Sequence, residues 1–158
     1  MEKACYPGSF DPFTRGHLEI IERASCLCSQ LTVAVIDNPA KRHLFSLEER
    51  KEMLQQGVSH LGNVVIDHFQ GLLVDYLKDR QIGVAIRGLR DSSDAPVEMQ
   101  MARLNRQMSG CETLWLAAEG QFLHISSSFV REIARLGGPY QNWVTPLVAQ
   151  RMEAKLAQ

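Results

Sequence analysis

The chain has 158 residues, of which 45% are hydrophobic and 22% charged. That is one domain's length, with enough apolar material to build a core without staples and too much for disorder. Its 17 basic and 18 acidic residues leave a formal net charge of -1; this excludes a general nucleic-acid binder that depends on basic excess, while leaving room for a local Lys/Arg cluster around one small polyanion.

In chain order, Ala4-Cys5-Tyr6 reads as a first strand running into the breakers Pro7-Gly8. Leu18, Ile21, Ala24 and Cys28 then recur at three- and four-residue spacing and predict a helix. The β-branched run 31–36 predicts a strand covered on both faces. Ser46-Leu47-Glu48-Glu49 has the form of a capping box and opens a helix carrying Leu47, Leu54, Val58 and Leu61. Val64-Val65-Ile66 is a third strand, followed by a helix with Leu72, Leu73, Tyr76 and Leu77. Val84-Ala85-Ile86 is a fourth, ending at Arg87-Gly88, and a helix rich in Met99, Met101, Leu104 and Met108 comes next. Thr113-Leu114-Trp115-Leu116 supplies a fifth strand. Ser126-Ser127-Ser128 opens a helix to about Leu136, stopped by Gly137-Gly138-Pro139, and Pro146 stands at the first position of a last helix.

Alternating β and α units imply one α/β domain over 1–158, Rossmann-like, with a parallel five-stranded sheet and helices on both faces. Ligands of such sheets bind beyond the carboxyl ends of the strands, where strand order reverses. The four cysteines, Cys5, Cys26, Cys28 and Cys111, lack metal or redox spacing and read as small buried thiols. His43, His60, His68 and His124 show no ligand spacing, so no metal-binding residues are assigned and these histidines read as surface or satisfied side chains. With no signal-peptide core and no run of ~20 apolar residues, the expectation is a cytoplasmic protein with no membrane partner.

Two strand-to-helix corners carry the chemistry. The first, Tyr6-Pro7-Gly8-Ser9-Phe10-Asp11-Pro12-Phe13-Thr14-Arg15-Gly16-His17, is neither the Gly-x-Gly-x-x-Gly of a dinucleotide site nor a P-loop. Gly8 lets backbone approach an anion, Ser9 adds an amide and a hydroxyl, and Gly16-His17 falls at a helix start, where free N–H groups and the dipole favour phosphate. An imidazole there can donate to a phosphoryl oxygen as charge develops. Taken alone, Thr14 as a plain cap and His17 as a surface residue is the competing reading. The second corner, Ile125-Ser126-Ser127-Ser128-Phe129-Val130-Arg131, offers three hydroxyls at a helix amino end, with Arg131 one turn inside.

The pairing of Thr14-x-Gly16-His17 with a late Ile-Ser-Ser-Ser-x-x-Arg resembles the nucleotidylyltransferase superfamily. The long first-corner string, with Asn38-Pro39-Ala40-Lys41-Arg42, Phe45-Ser46-Leu47-Glu48-Glu49-Arg50, Arg87-Gly88-Leu89-Arg90 and Glu98-Met99-Gln100-Met101-Ala102 following in order, is similar to the phosphopantetheine adenylyltransferase family. The resemblance implies conversion of 4′-phosphopantetheine and MgATP to dephospho-coenzyme A and pyrophosphate. It implies His17, Lys41 and Arg90 as catalytic residues. It also implies an ATP site of Ser9, Phe10, His17, Gly88, Leu89, Arg90, Glu98, Phe122, Leu123, His124, Ile125, Ser126, Ser127 and Ser128. Ser9, Lys41, Leu73 and Arg87 would hold the acceptor, Mg²⁺ would accompany ATP, no nucleic acid would be a partner, and the assembly would be a homohexamer. The sequence departs from the family pattern at Ser9, where Thr is more frequent, at Ala95-Pro96-Val97 and at Phe122-Leu123-His124. A sister enzyme acting on nicotinate mononucleotide or glycerol phosphate, and a non-catalytic nucleotide sensor, are the alternatives.

Overall fold

A computed structural model of the chain describes residues 1–90 and 93–157. Its strands are β1 (Lys3–Gly8), β2 (Gln30–Ile36), β3 (Val64–Phe69), β4 (Val84–Leu89) and β5 (Glu112–Ala117). The helices are α1 (Arg15–Ser25), α2 (Leu47–Gly57), α3 (Leu73–Asp79), α4 (Ala95–Ser109), α5 (Ser127–Arg135) and α6 (Pro146–Leu156), with short 3₁₀ turns at Gly120–Phe122 and Gln141–Trp143. The five strands form one parallel sheet in the order β3-β2-β1-β4-β5. The chain therefore builds outward from β1 in one direction, returns, and builds outward in the other. The reversal lies between β1 and β4, the place where such sheets open a ligand crevice.

Strand periodicity divides the core between two faces. Ala4, Tyr6, Leu31, Val33, Val35 and Ile86 point into the larger cluster, with side chains of α1, α2, α5 and α6. Cys5, Ala34 and Ala85, their neighbours in sequence, point into a smaller cluster with Phe69, Tyr76, Leu77 and Cys111. Successive residues of a strand face opposite sides, so β1, β2 and β4 need apolar residues at nearly every position.

Two helices are shorter than their apolar spacing suggests. Helix α1 stops at Ser25 and α2 at Gly57, so Cys28, Val58 and Leu61 lie beyond the helices that were expected to carry them. All three still pack on the larger core, since the return to the sheet needs apolar cover just as the helix does. Cys26 caps the end of α1 and is exposed, which corrects the reading of all four cysteines as buried. The other three are buried and free.

Helix α4 is the larger surprise. Its only buried residue is Asn105, while Val97, Met99, Met101, Leu104 and Met108 are exposed. Beside it, edge strand β5 exposes Leu114 and Trp115. An apolar helix face normally marks the core. Here it faces outward. Among the described residues, no helix is long and apolar enough to cross a membrane.

Candidate active site

The crevice at the sheet reversal is a cavity of about 420 Å³. Its floor is the end of β1, Tyr6 to Gly8, and the end of β4, Arg87 and Gly88. Strand β1 pairs with β4 at Cys5 and Ala85, below this opening.

Gly8 shapes the first corner because a Cβ there would lie 2.8 Å from Cζ of Phe10, so that any other residue would have to displace the Phe10 ring. Phe10 turns back over the glycine with a φ of 49°, in the left-handed region, and its ring meets Tyr6 and His17 edge-on at 5.7 and 5.1 Å. Such a backbone persists only when its surroundings hold it. Buried Asp11 supplies part of that hold: its two carboxylate oxygens accept the Leu44 and Phe45 N–H groups, each at 2.9 Å. These bonds tie the loop before α2 to the corner and bring Lys41 to the cavity rim.

His17 is held by the helix start itself. Thr14 Oγ1 accepts the His17 N–H at 3.3 Å, and the Thr14 N–H donates to Nδ1 of the imidazole at 3.1 Å, a capping box with His in the role usually taken by Glu or Gln. Because Nδ1 accepts, the proton of the neutral ring belongs on Nε2. Burial, and then the positive charges of Arg90 and Arg87, push the His17 pKa down to about 4. The competing reading of Thr14 as the cap is thus correct, and the same cap orients a neutral imidazole in the cavity wall.

The cations at and just beyond the end of β4 are already paired. Arg87 donates to both oxygens of Glu98 at 2.9 and 2.6 Å and to the Pro7 carbonyl at 2.8 Å. Burial opposes its charge, but the Glu98 hydrogen bonds and charge outweigh that and push its pKa up. Arg90 makes the same fork to Asp94 at 3.0 and 3.1 Å. Asp94 and Glu98 stand one turn apart at the start of α4, so a helix lost to the core is the support for both guanidinium groups. Pro96 sits in the first turn, where its missing N–H is tolerated. The fork of each guanidinium is spent on its carboxylate, so what faces the cavity is two positive groups held at fixed positions with only their remaining N–H groups to donate.

At the second corner the hydroxyls are engaged. Ser126 Oγ accepts the Phe129 N–H at 3.1 Å as the helix cap, and Ser127 Oγ donates to the Pro12 carbonyl at 2.8 Å. Ser128 lies 3.5 Å from Arg131. Of the three hydroxyls only Ser127 spends its proton on the corner; Ser126 and Ser128 accept there and keep an O–H to donate, so α5 offers an anion two hydroxyls beside its first-turn backbone N–H groups. Arg131 turns away from the cavity to donate to the Asp11 carbonyl, 3.6 Å from the Asp11 carboxylate. Together Ser127 and Arg131 clasp the two corners.

Ser9, Phe10, His17, Lys41, Arg87, Gly88, Arg90, Glu98, Phe122, Ile125, Ser126 and Ser127 all line the cavity. Leu89, Leu123, His124 and Ser128 are not among the lining residues; the His124 ring instead meets Trp143 edge-on at 6.0 Å. Leu73 lines a second cavity of about 170 Å³, with Met101 and Ala102, that shares Pro7, Ile36, Arg87 and Glu98 with the first. Sequence reading missed Asp94 and Asp11 as parts of this architecture. Asp11 works through a loop distant in sequence, which no local pattern reveals.

The cytidylyltransferase-like family model matches residues 5–133. The chain is 46% identical over 156 residues to a phosphopantetheine adenylyltransferase of Thermotoga neapolitana, covering 98% of this chain and 97% of that one. It is 49% identical over 146 residues to the enzyme of the same name from a Synechocystis species, covering 92% of each. Among solved structures, the Plasmodium falciparum nicotinic acid mononucleotide adenylyltransferase complexed with NaAD superposes with a TM-score of 0.70 at 14% identity, over 98% of this chain and 96% of that one. At that identity the likeness shows the shared fold.

Proposed function

Since the chain belongs to the cytidylyltransferase-like family and, within it, to the phosphopantetheine adenylyltransferases, we propose that it transfers the adenylyl group of MgATP to 4′-phosphopantetheine, releasing pyrophosphate and dephospho-coenzyme A. The observation that carries this reading is one cavity lined at once by His17, Lys41, Arg87, Arg90 and the amino end of α5.

The acceptor's terminal phosphate, with a second pKa near ~6, is already an anionic nucleophile at neutral pH. One of its oxygens attacks the α-phosphorus, the α–β bridging bond breaks, and its electron pair leaves with pyrophosphate. No general base is needed. The work is to bring two polyanions into line and to compensate charge around the α-phosphorus. In this reading His17, neutral with its proton on Nε2, donates to a non-bridging α-phosphate oxygen. Lys41 bridges the reacting phosphates. Arg87 takes the acceptor phosphate, and Arg90 the nucleotide phosphates. The amides of Ser9, Phe10 and the start of α5 complete the anion shell. Glu98, Gly88, Leu89 and the segment Phe122 to Ser128 belong to the nucleotide, and Leu73, in the more apolar adjoining cavity, to the pantetheine arm.

Mg²⁺ fits as a companion of the nucleotide. Asp94 and Glu98, the described carboxylates in the wall, are each held by two guanidinium hydrogen bonds. The described residues contain no cluster of ligand-type side chains suited to a metal ion. The ion would neutralise the departing pyrophosphate.

A cytoplasmic location and a homohexamer are part of the same proposal, the assembly being supported by the apolar side chains exposed on α4 and β5. Incubation with ATP, Mg²⁺ and 4′-phosphopantetheine, read by mass detection of dephospho-coenzyme A, tests the reaction. Product from nicotinate mononucleotide or glycerol phosphate and none from 4′-phosphopantetheine would replace it.

A further inference from the structure

Arg50, on α2, is buried with 1% of its surface exposed. It lines neither cavity. Burying a guanidinium is expensive unless its hydrogen bonds are met, so its partners are informative. Nη1 donates to the Ser9 carbonyl at 2.9 Å and to the Ile36 carbonyl at 3.0 Å, and Nη2 lies 3.6 Å from Asp37 Oδ1. One guanidinium thus joins the ends of β1 and β2, the two strands whose following loops carry Ser9 and Lys41.

The grip on Ser9 has a specific geometric result. A trans peptide is planar, with its C=O and N–H on opposite sides. The cis bond of this turn is Asp11–Pro12, so fixing the Ser9 carbonyl toward Arg50 turns the Phe10 N–H the other way. Among the described residues, no group accepts from that N–H, and Phe10 lines the cavity from a φ of 49°. Resting on the proposed nucleotide reading, we infer that Arg50 is a positioning residue: from behind the first corner it sets the Ser9–Phe10 peptide so that the Phe10 amide donates to a nucleotide phosphate. A preset donor is worth more than one that must rotate into place as charge develops.

Titration of the ¹⁵N-labelled full chain with MgATP, without acceptor, provides a test on the unaltered protein. The Phe10 amide resonance should move downfield along with responses at His17 and Ser127. Responses at His17 and Ser127 with Phe10 unmoved would overturn the inference and leave the nucleotide site standing. No response at any of the three would overturn the nucleotide reading and this inference together. Arg50→Lys keeps the charge and loses the fork. It should lower kcat by about tenfold or more, part of the value of one preorganised donor, with KM for ATP changed much less and the Phe10 response lost. A folded Arg50→Lys protein with parental kcat and an intact Phe10 response would refute the role. If that variant fails to fold, Arg50→Gln, whose side-chain amide keeps a donor without the charge, is read by the same two measurements, and a folded Arg50→Gln protein with parental kcat and an intact Phe10 response would refute the role.

Discussion

His17 illustrates how one hydrogen bond selects a chemical role. Were Nδ1 the protonated atom, the ring would offer the cavity a lone pair, and phosphate oxygens would be repelled. The Thr14 N–H prevents this by donating to Nδ1. His17→Ala should lower turnover by about two to three orders of magnitude, the cost of one oxyanion donor, with little change in ATP affinity; steady-state kinetics and ATP titration check both halves. With a pKa of about 4, His17 stays neutral across ordinary assay pH. The acid limb of kcat/KM should therefore fall near ~6, where the acceptor phosphate gains its proton. A depressed histidine also has a definite stability sign. Between its unfolded value of ~6.5 and 4, the unfolded chain binds the proton and the folded chain resists it, so stability falls as pH falls through that window. His17→Ala should flatten the decline of Tm over the same interval. Lys41→Ala is expected to weaken substrate binding and slow the reaction alike, because its charge serves both phosphates.

At the scale of elements, the site is two corners clasped by a few bonds. Ser127 to Pro12, Arg131 to Asp11 and Asp11 to the Leu44 and Phe45 amides join three stretches distant in sequence. Gly8 lies under the tightest part. In Gly8→Ala the added methyl would displace the Phe10 ring, and that ring packs on His17. The expected outcome is a folded protein whose kcat drops by at least about tenfold, because catalytic groups tolerate little misplacement. Far-ultraviolet circular dichroism together with kinetics separates this from unfolding. Helix α4 has a comparable double duty, holding Arg87 and Arg90 with its first turn while exposing apolar side chains along its length.

For the whole molecule, that exposure is the feature that a lone chain does not explain. Met108 is 54% and Leu104 42% exposed on α4, beside Trp115 at 39% on β5. A contiguous apolar strip on a protein surface marks an interaction site. If it is covered in a homohexamer, Leu104→Glu with Met108→Glu should shift the particle to smaller species in light scattering while leaving the secondary structure of the chain intact. Burying two carboxylates in an interface carries a large desolvation cost, so a modest interface should not survive it.

The sequence by itself determined the α/β alternation, the order of elements and the identity of both corners. These follow from local causes: periodicity, capping residues, and glycine or proline at the breaks. It also pointed to His17, because a helix-start imidazole after a strand suits phosphate, while Lys41, Arg87 and Arg90 were legible through the resemblance of their motifs to a known family. Where α1 and α2 end was not legible, since Cys28, Val58 and Leu61 are apolar for the sake of the core and happen to continue a helical spacing. The outward turn of α4 was not legible either, because an apolar stripe looks the same whether it meets the chain's own core or stays exposed. Only the tertiary structure decided that the Ser127 hydroxyl proton serves the corner, that Asp94 and Glu98 hold the arginines, and that Asp11 and Arg50 frame the turn. Those partners meet through contacts between segments far apart in the chain, and sequence spacing carries no record of distance across a fold.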